Sequence, residues 1–586
     1  MKKFTFLFLF VLIGAWSTAE AADIKLKYRF SQDMTYARDT DLNKGDDNNP
    51  IATRGNFPGN VRGKSSGDAY SFFSTLLGIN AQWTPLSNTE IVADMVAQFD
   101  WHGSNGTVFP HQTAVPGQGQ GTYGDTGSTT AIGFGFKELY LKLADLLDWP
   151  IDLKVGRQDI KLGRGFVVDS WLVGSAGAPY ENGRGPSGSG LTGGGSNGQH
   201  FAANTGNLPI NAPNPGALYA PEQSAFDAFD AVTAKVYLLD NKLNIDLGYA
   251  LIAGAFSEAG YRTAGGAAIS DRNIGTRDSE HLYFANLGYT WKVLSGLLTE
   301  AYAVVNIDDE PTLDNQLTTA QIKGSKVYTL GARGDWNWGK GFLGLKNINT
   351  YIEAAHQRGD LGGDNIDSNI GRKRSAYAAN LGSDIALNST SKWLPSLLKL
   401  EAIVLSGEEP NGLEDDDQAT NGTAGTAGND VGSGDKWKGY DWQFMGPAFW
   451  YAKIMPFLDV FYLTDVLSSP ADAATAPIMG KQDAGLTNRW VLRAKADFDL
   501  TKKLLLSLNA AYAQALQIPS AGLTPAQRKF GQEIDWDLVY KLSKVTDVTF
   551  DGGVLLPGSY YKRIPLTGRR TPAAYLLRLG FKVDLG

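Results

Sequence analysis

The sequence predicts an all-β protein: one transmembrane antiparallel β-barrel of about 18 strands, with short periplasmic turns and long extracellular loops. Three observations predict it. An export signal opens the chain, no later stretch is suited to cross a bilayer as a helix, and apolar and polar residues alternate with a period of two along most of the length.

The export signal comes first. Lys2 and Lys3 precede an apolar run from Phe4 to Trp16, and Ala19-Glu20-Ala21 supplies small residues for cleavage. These are the three parts of a secretory signal, and the run is too short to span a bilayer. Residues 1–21 are therefore assigned to a signal peptide and 22–586 to a barrel. No later segment offers the roughly 18 uncharged apolar residues of a membrane helix. An exported chain of this kind is soluble or a closed barrel, since only helices and barrels satisfy their backbone in lipid.

Composition narrows the class further. The absence of cysteine excludes disulfides, thiolate metal sites and covalent haem attachment. The net charge of −8 points away from nucleic acid as a partner. Glycine, at 69 residues, suits loops, and 24 Tyr, 27 Phe and 14 Trp suit two interfacial girdles. A secreted β-sandwich shares that composition, so the strand pattern has to decide.

In a membrane strand of about ten residues, side chains face lipid and lumen by turns. The first candidate sets Ile24, Leu26, Tyr28 and Phe30 against Lys25, Lys27 and Arg29. In 242–251, Leu243, Ile245, Leu247, Tyr249 and Leu251 oppose Asn244, Asp246, Gly248 and Ala250. In 488–500, Trp490, Leu492, Ala494, Ala496, Phe498 and Leu500 oppose Arg489, Arg493, Lys495 and Asp497. In 532–542, Ile534, Trp536, Leu538, Tyr540 and Leu542 oppose Glu533, Asp535, Asp537 and Lys541. The last strand sets Tyr575, Leu577, Leu579, Phe581, Val583 and Leu585 against Arg578, Lys582 and Asp584.

Connector lengths alternate as well. Short turns at 85–88, 146–150, 240–241, 294–296, 501–503 and 544–547 separate long loops, of which 164–225 and 409–485 are the longest. Short turns on one side and long loops on the other are the arrangement of outer-membrane barrels, with both termini on the periplasmic side. The aromatic stretch 437–467 is apolar on both faces and is interrupted by Pro447 and Pro456. It is read as a folded surface or lumen-entering loop; an extra hairpin, giving 20 strands, is the alternative.

The lumen-facing charges are the candidate functional residues. Closure places Lys25, Lys27 and Arg29 beside Arg578 and Lys582 as one basic wall, with Glu533, Asp535, Asp537 and Asp551 on the two preceding strands. Asp246, Glu300, Arg333, Asp335, Glu353, Asp384, Arg489, Arg493 and Lys495 complete the expected pore lining. Charges of both signs set a field that selects solutes; equally, they can do no more than pair among themselves. Arg157 would point at lipid if alternation held, so a β-bulge at Gly156 is expected to turn it inward.

Val155-Gly156-Arg157-Gln158-Asp159, with Phe229-Asp230 further along, resembles the alginate-export family of outer-membrane barrels. The resemblance implies an 18-stranded barrel and, at its narrowest, a polysaccharide export pore.

Two further motifs carry weaker signals. His102-Gly103-Ser104-Asn105-Gly106 is similar to the catalytic stretch of outer-membrane phospholipase A, where serine attacks with histidine as base. Gly, Ser and Asn are also ordinary loop residues, and no catalytic residue is assigned. Asp39, Asp41, Asn43, Asp46 and Asp47 suggest loop calcium, but Lys44 and Pro50 stand where an EF-hand needs glycine and glutamate. No metal or cofactor is assigned.

The expected function is passive diffusion of small hydrophilic or anionic solutes through a porin-like channel of the outer membrane, without reaction chemistry. Its expected partners are outer-membrane lipid, the solutes and, during biogenesis, the barrel-assembly machinery. A phospholipase, or a barrel sheathing an electron-transfer partner, are the readings from other classes.

Overall fold

The computed structural model describes residues 23–38, 69–102, 132–169, 229–253, 280–291, 296–308, 325–339, 345–360, 373–387, 393–407, 436–437, 451–455, 488–517, 528–560 and 573–585. The assigned signal peptide, the acidic stretch 39–47 and Ser104 lie outside them.

The strands are β1 (Asp23–Arg38), β2 (Ala69–Leu86), β3 (Thr89–His102), β4 (Ile132–Leu143), β5 (Ile151–Gln158), β6 (Phe229–Leu238), β7 (Leu243–Ala253), β8 (Glu280–Trp291) and β9 (Leu297–Asp308). They continue as β10 (Ser325–Asn337), β11 (Asn347–Asp360), β12 (Lys373–Ala386), β13 (Leu397–Leu405), β14 (Arg489–Asp499), β15 (Leu504–Ala515), β16 (Lys529–Lys541), β17 (Thr546–Pro557) and β18 (Ala574–Leu585). Each pairs antiparallel with its sequence neighbours, and β1 pairs with β18 from Tyr28↔Leu585 to Arg38↔Tyr575, which closes the sheet. The result is an 18-stranded antiparallel barrel with no free edge. One further two-residue segment, Lys436–Trp437, runs parallel to the start of β12 and adds no wall.

Connections after the even-numbered strands β2 to β16 are two to ten residues long, and those after the odd-numbered strands are 12 to 83. The tightest can be explained locally. Leu239, Asp240 and Asn241 adopt left-handed φ of 52–62° and reverse the chain between β6 and β7, a conformation Asn and Asp tolerate better than most residues.

The two faces differ as the alternation requires. Outward side chains are apolar and exposed: Leu330 is 62% exposed, Ile352 56%, Ile534 55%, Leu579 52% and Leu492 50%. A belt of exposed leucine and isoleucine around a closed wall is the surface of a protein solvated by lipid. Near the short-turn rim, Trp291 and Trp338 donate to the hydroxyls of Thr299 and Thr350, both at 3.0 Å. Such tryptophans, apolar in body and polar at one atom, suit the level of the lipid headgroups. Inward neighbours of the apolar residues are polar and buried, including Asp33, Asn286, Asn306, Glu353, Asn380, Glu401, Glu533 and Asp551.

Two boundaries differ from the sequence expectation. β1 runs on to Arg38, well past the first candidate strand ending at Phe30, because the alternation continues: Ser31 and Asp33 are buried inward while Met34 is exposed. The strand around Gly156 also differs. Its pairing with both neighbours runs through without a register shift, so the expected bulge is absent. Gly156 keeps a φ of +124° within the ladder, and an added Cβ would strike the Leu139 carbonyl. Arg157 therefore stays on the parity of Val155 and Val232, opposite Asp230, and pairs with it at 3.5 Å. Both residues lie at the long-loop ends of their strands, where an outward charge costs about 0–1 kcal/mol, against about 2–4 at mid-depth.

Candidate functional site: a doubly constricted lumen

Side chains on the wall first meet one another. Tyr302 on β9 lies across Gly331 on β10 and donates to Glu353 Oε1 on β11 at 2.6 Å. Tyr351 on β11 lies across Gly382 on β12 and donates to Glu401 Oε1 on β13 at 2.9 Å. Arg29 on β1 lies across Gly78 on β2 and pairs with Asp94 on β3 at 3.0 Å. In all three a glycine on the middle strand leaves room for a long side chain to bridge to a carboxylate two strands away. An alanine at Gly331 or Gly382 would drive its Cβ into the tyrosine ring.

Two segments then fold in from long loops. The first follows β5. Lys161–Leu162 and Val168–Asp169 form a short antiparallel ladder around a turn closed by Gly165 N–H to the Leu162 carbonyl at 2.9 Å. Gly163 and Gly165 take φ of +60° and +85°, which glycine reaches without strain. Ile160, Leu162, Phe166, Val167 and Val168 are buried. At the tip, Arg164 N–H donates to Glu353 Oε2 at 3.1 Å. Its guanidinium lies 3.6 Å over the Tyr351 ring and reaches Asp335 at 3.6 Å and Asp384 at 3.5 Å. Arg333 on the wall pairs with Glu300 at 2.7 Å and with Asp335.

The second is 451–455, within the connection between β13 and β14. Lys453, Ile454 and Met455 direct three consecutive N–H groups at Glu533, at 2.8, 2.6 and 2.7 Å. The Lys453 ammonium reaches Asp537 at 2.6 Å, Asp551 at 2.7 Å and the Trp536 carbonyl at 3.3 Å. Asp551 also accepts from Arg578 Nε at 2.8 Å. Tyr451 receives Arg489 on its hydroxyl and Asn509 on its carbonyl, both at 3.0 Å. The stretch 437–467 is thus, in its described part, a lumen-entering loop and not an added hairpin.

The two docking regions are joined along the wall. Glu401 meets Arg493 at 3.4 Å and Lys399 at 3.5 Å, Arg493 Nε donates to Asn509 at 2.8 Å, and Asn509 donates to Asp535 at 2.8 Å.

The structure brings together Glu300, Arg333, Asp335, Glu353 and Asp384 at the first dock. It brings Arg489, Glu533, Asp535, Asp537, Asp551 and Arg578 together at the second. Arg493 lies between them, and Lys495 pairs with Asp497 at 3.6 Å. Asp246 sits apart, bonded to Asn286 and Lys235. The expected basic wall is divided by its own pairings: Arg29 is held by Asp94, Arg578 by Asp551 and Lys582 by Asp584, while Lys25 and Lys27 are exposed near the short-turn rim.

Arg164, Lys453, Tyr302, Tyr351, Lys399 and Glu401 were not singled out in the sequence. For Lys399 and Glu401 the signal was present, since alternation in 397–405 puts them on the lumen parity. Arg164 stands between two glycines in Gly163-Arg164-Gly165, a turn signature. Nothing local marks Lys453.

Together these features define an outer-membrane-type β-barrel whose lumen is narrowed by two inserted segments. No family model and no curated protein matches the chain. Among solved structures, Pseudomonas aeruginosa OccK5 (OpdH) matches at 10% identity over 96% of this chain and 99% of that one, with a TM-score of 0.41. Acinetobacter baumannii OccAB1 matches at 9% over 97% of each, with 0.43, and Pseudomonas aeruginosa OprD at 8% over 97% and 95%, with 0.41. Nothing about solutes passes to this chain from a similarity of that level; the barrel assignment rests on the strand pairing itself.

Proposed function

We propose that the protein is a porin-like channel of the outer membrane that passes small hydrophilic solutes by passive diffusion. The observation that carries this reading is the closed barrel, with a lipid-compatible exterior around a charged lumen that two docked segments narrow. A barrel that served only as an anchor would have no need to hold charges of both signs on segments folded into its interior. The narrowing favours small solutes, and the charges discriminate among them. Lipid of the outer membrane and the assembly machinery that inserts barrels are the partners this reading implies.

The test is conductance of the purified, folded protein in a planar bilayer. Discrete, ohmic steps are expected; a folded barrel that inserts and stays electrically silent overturns the reading and favours a sheath or an enzyme.

A narrower reading, export of an anionic polysaccharide, has support from the alginate-export resemblance alone. The arginine of that stretch, Arg157, is paired at the rim on the outward parity. The export reading predicts block of the current by an oligouronate at concentrations that leave monosaccharides without effect.

A further inference from the structure

In both docks wall carboxylates outnumber wall cations. The first gathers four wall carboxylates, Glu300, Asp335, Glu353 and Asp384, and one wall arginine, Arg333. The second gathers Glu533, Asp535, Asp537 and Asp551, and two arginines, Arg489 and Arg578. In each, the balance is improved by one cation that the inserted segment brings: Arg164 in the first, Lys453 in the second. The insert cations do not reach these positions through their own strands. Backbone N–H groups of the same segments, bonded to Glu353 and to Glu533, hold them there.

We infer that Arg164 and Lys453 are the residues that set the ion preference of the pore: the wall around each dock is acidic, and the insert cation is its counter-charge. This rests on the channel reading above and deepens it. The physical reason is proximity. A passing ion meets the inserts inside the lumen, and a charge there is screened less than one at the rim, where Lys25, Lys27 and Lys582 stand in water within a Debye length of about 8–10 Å. Arg29 on the wall is, moreover, already matched by Asp94, so its removal uncovers one opposing charge and not an acidic cluster.

The test is the reversal potential across a salt gradient at low ionic strength. Arg164→Gln and Lys453→Gln are each expected to raise the cation-to-anion permeability ratio by about twofold, and the double variant by more than either alone, without strict additivity because the Glu401–Arg493–Asn509 network joins the docks. Lys453→Arg should keep the wild-type ratio. Glu533→Gln should move it the other way, toward anions, although it weakens the same segment's anchorage. That opposite sign separates a charge effect from simple loss of the insert, which would drive Glu533→Gln and Lys453→Gln in the same direction. Unchanged reversal potentials in both single variants, or a shift in Lys453→Arg equal to that in Lys453→Gln, overturn the inference. If Arg164→Gln fails to fold, as read by heat-modifiable gel migration, the Lys453 pair decides alone. A wild-type barrel that conducts nothing fails the channel reading instead; a conducting barrel with unshifted variants fails only this one.

Discussion

The two inserted segments reach the same kind of wall by different means. Residues 159–169 bring structure of their own: a ladder, two glycines at positive φ and a cluster of buried Ile160, Leu162, Phe166 and Val168. Their tip touches the wall through one N–H and one guanidinium. Residues 451–455 show no ladder among the described residues, and a single carboxylate receives three of their N–H groups. The first is a preformed hairpin that meets the wall; the second takes its shape from the wall. A segment that carries its own hydrogen bonds survives the loss of one docking partner, whereas one satisfied from outside does not.

The largest effect expected from this difference is at Glu533. Glu533→Ala leaves the three N–H groups of 453–455 without their acceptor, although the Lys453 ammonium keeps Asp537 and Asp551. A cost of about 3–5 kcal/mol is expected, mostly in the position of 451–455. Glu353→Ala orphans the Tyr302 hydroxyl and one N–H, and about half that cost is expected, because the hairpin remains. Urea unfolding in detergent gives the costs, and single-channel conductance gives the position of the insert. A conductance that rises in the Glu533 variant and stays near wild type in the Glu353 variant sharpens the contrast. Equal rises would show that both segments depend on the wall alike.

The parts legible in the sequence were those that the two-residue period writes locally. The lipid-facing Leu243, Leu492, Trp536 and Leu579, the lumen parity of Asp246 and Arg493, the closure of β18 on β1 and the even strand number all follow from alternation and connector length. The docks did not follow, because they are long-range. Arg164 and Glu353 are 189 residues apart, and Lys453 and Glu533 are 80 apart. A loop gives no periodic signal for where it lands. Arg157 shows the converse error: alternation was correct there, and the bulge invoked to rescue it was unnecessary, since a rim charge with a partner is cheap. The three glycines beneath long side chains, Gly78, Gly331 and Gly382, were visible as inward glycines but not as the middle members of bridges, which needs register across three strands.

A smaller effect tests whether the hairpin is as self-sufficient as its ladder suggests. Gly163→Ala places a methyl group at φ +60° and against the Glu353 carboxylate. A cost of about 1–2 kcal/mol is expected from the backbone conformation alone. If the hairpin is rigid, the clash moves Glu353 or tilts the whole tip, and Arg164 loses its place over Tyr351. A change in reversal potential with little change in unfolding midpoint is then the expected result. A loss of stability without any electrical change would mean that the turn yields locally while the tip stays docked.

The smallest effect is expected on the wall far from both inserts. Arg29 crosses Gly78 to reach Asp94, and its side chain is 32% exposed. A half-solvated pair of this kind contributes about 1 kcal/mol or less, and salt weakens it. Arg29→Gln is therefore expected to leave the unfolding midpoint nearly unchanged and to move the reversal potential less than Lys453→Gln does. The logic is that of the comparison between the inserts, carried to its limit. Where a cation and a carboxylate both belong to the barrel wall, the strands hold them in place whether or not they attract, and removing one exposes a single opposing charge. Where the cation arrives on an inserted segment, it stands against several carboxylates inside the lumen. A shift in Arg29→Gln as large as that in Lys453→Gln would break this distinction, and it would return the filter to the wall formed by β1, β2 and β3.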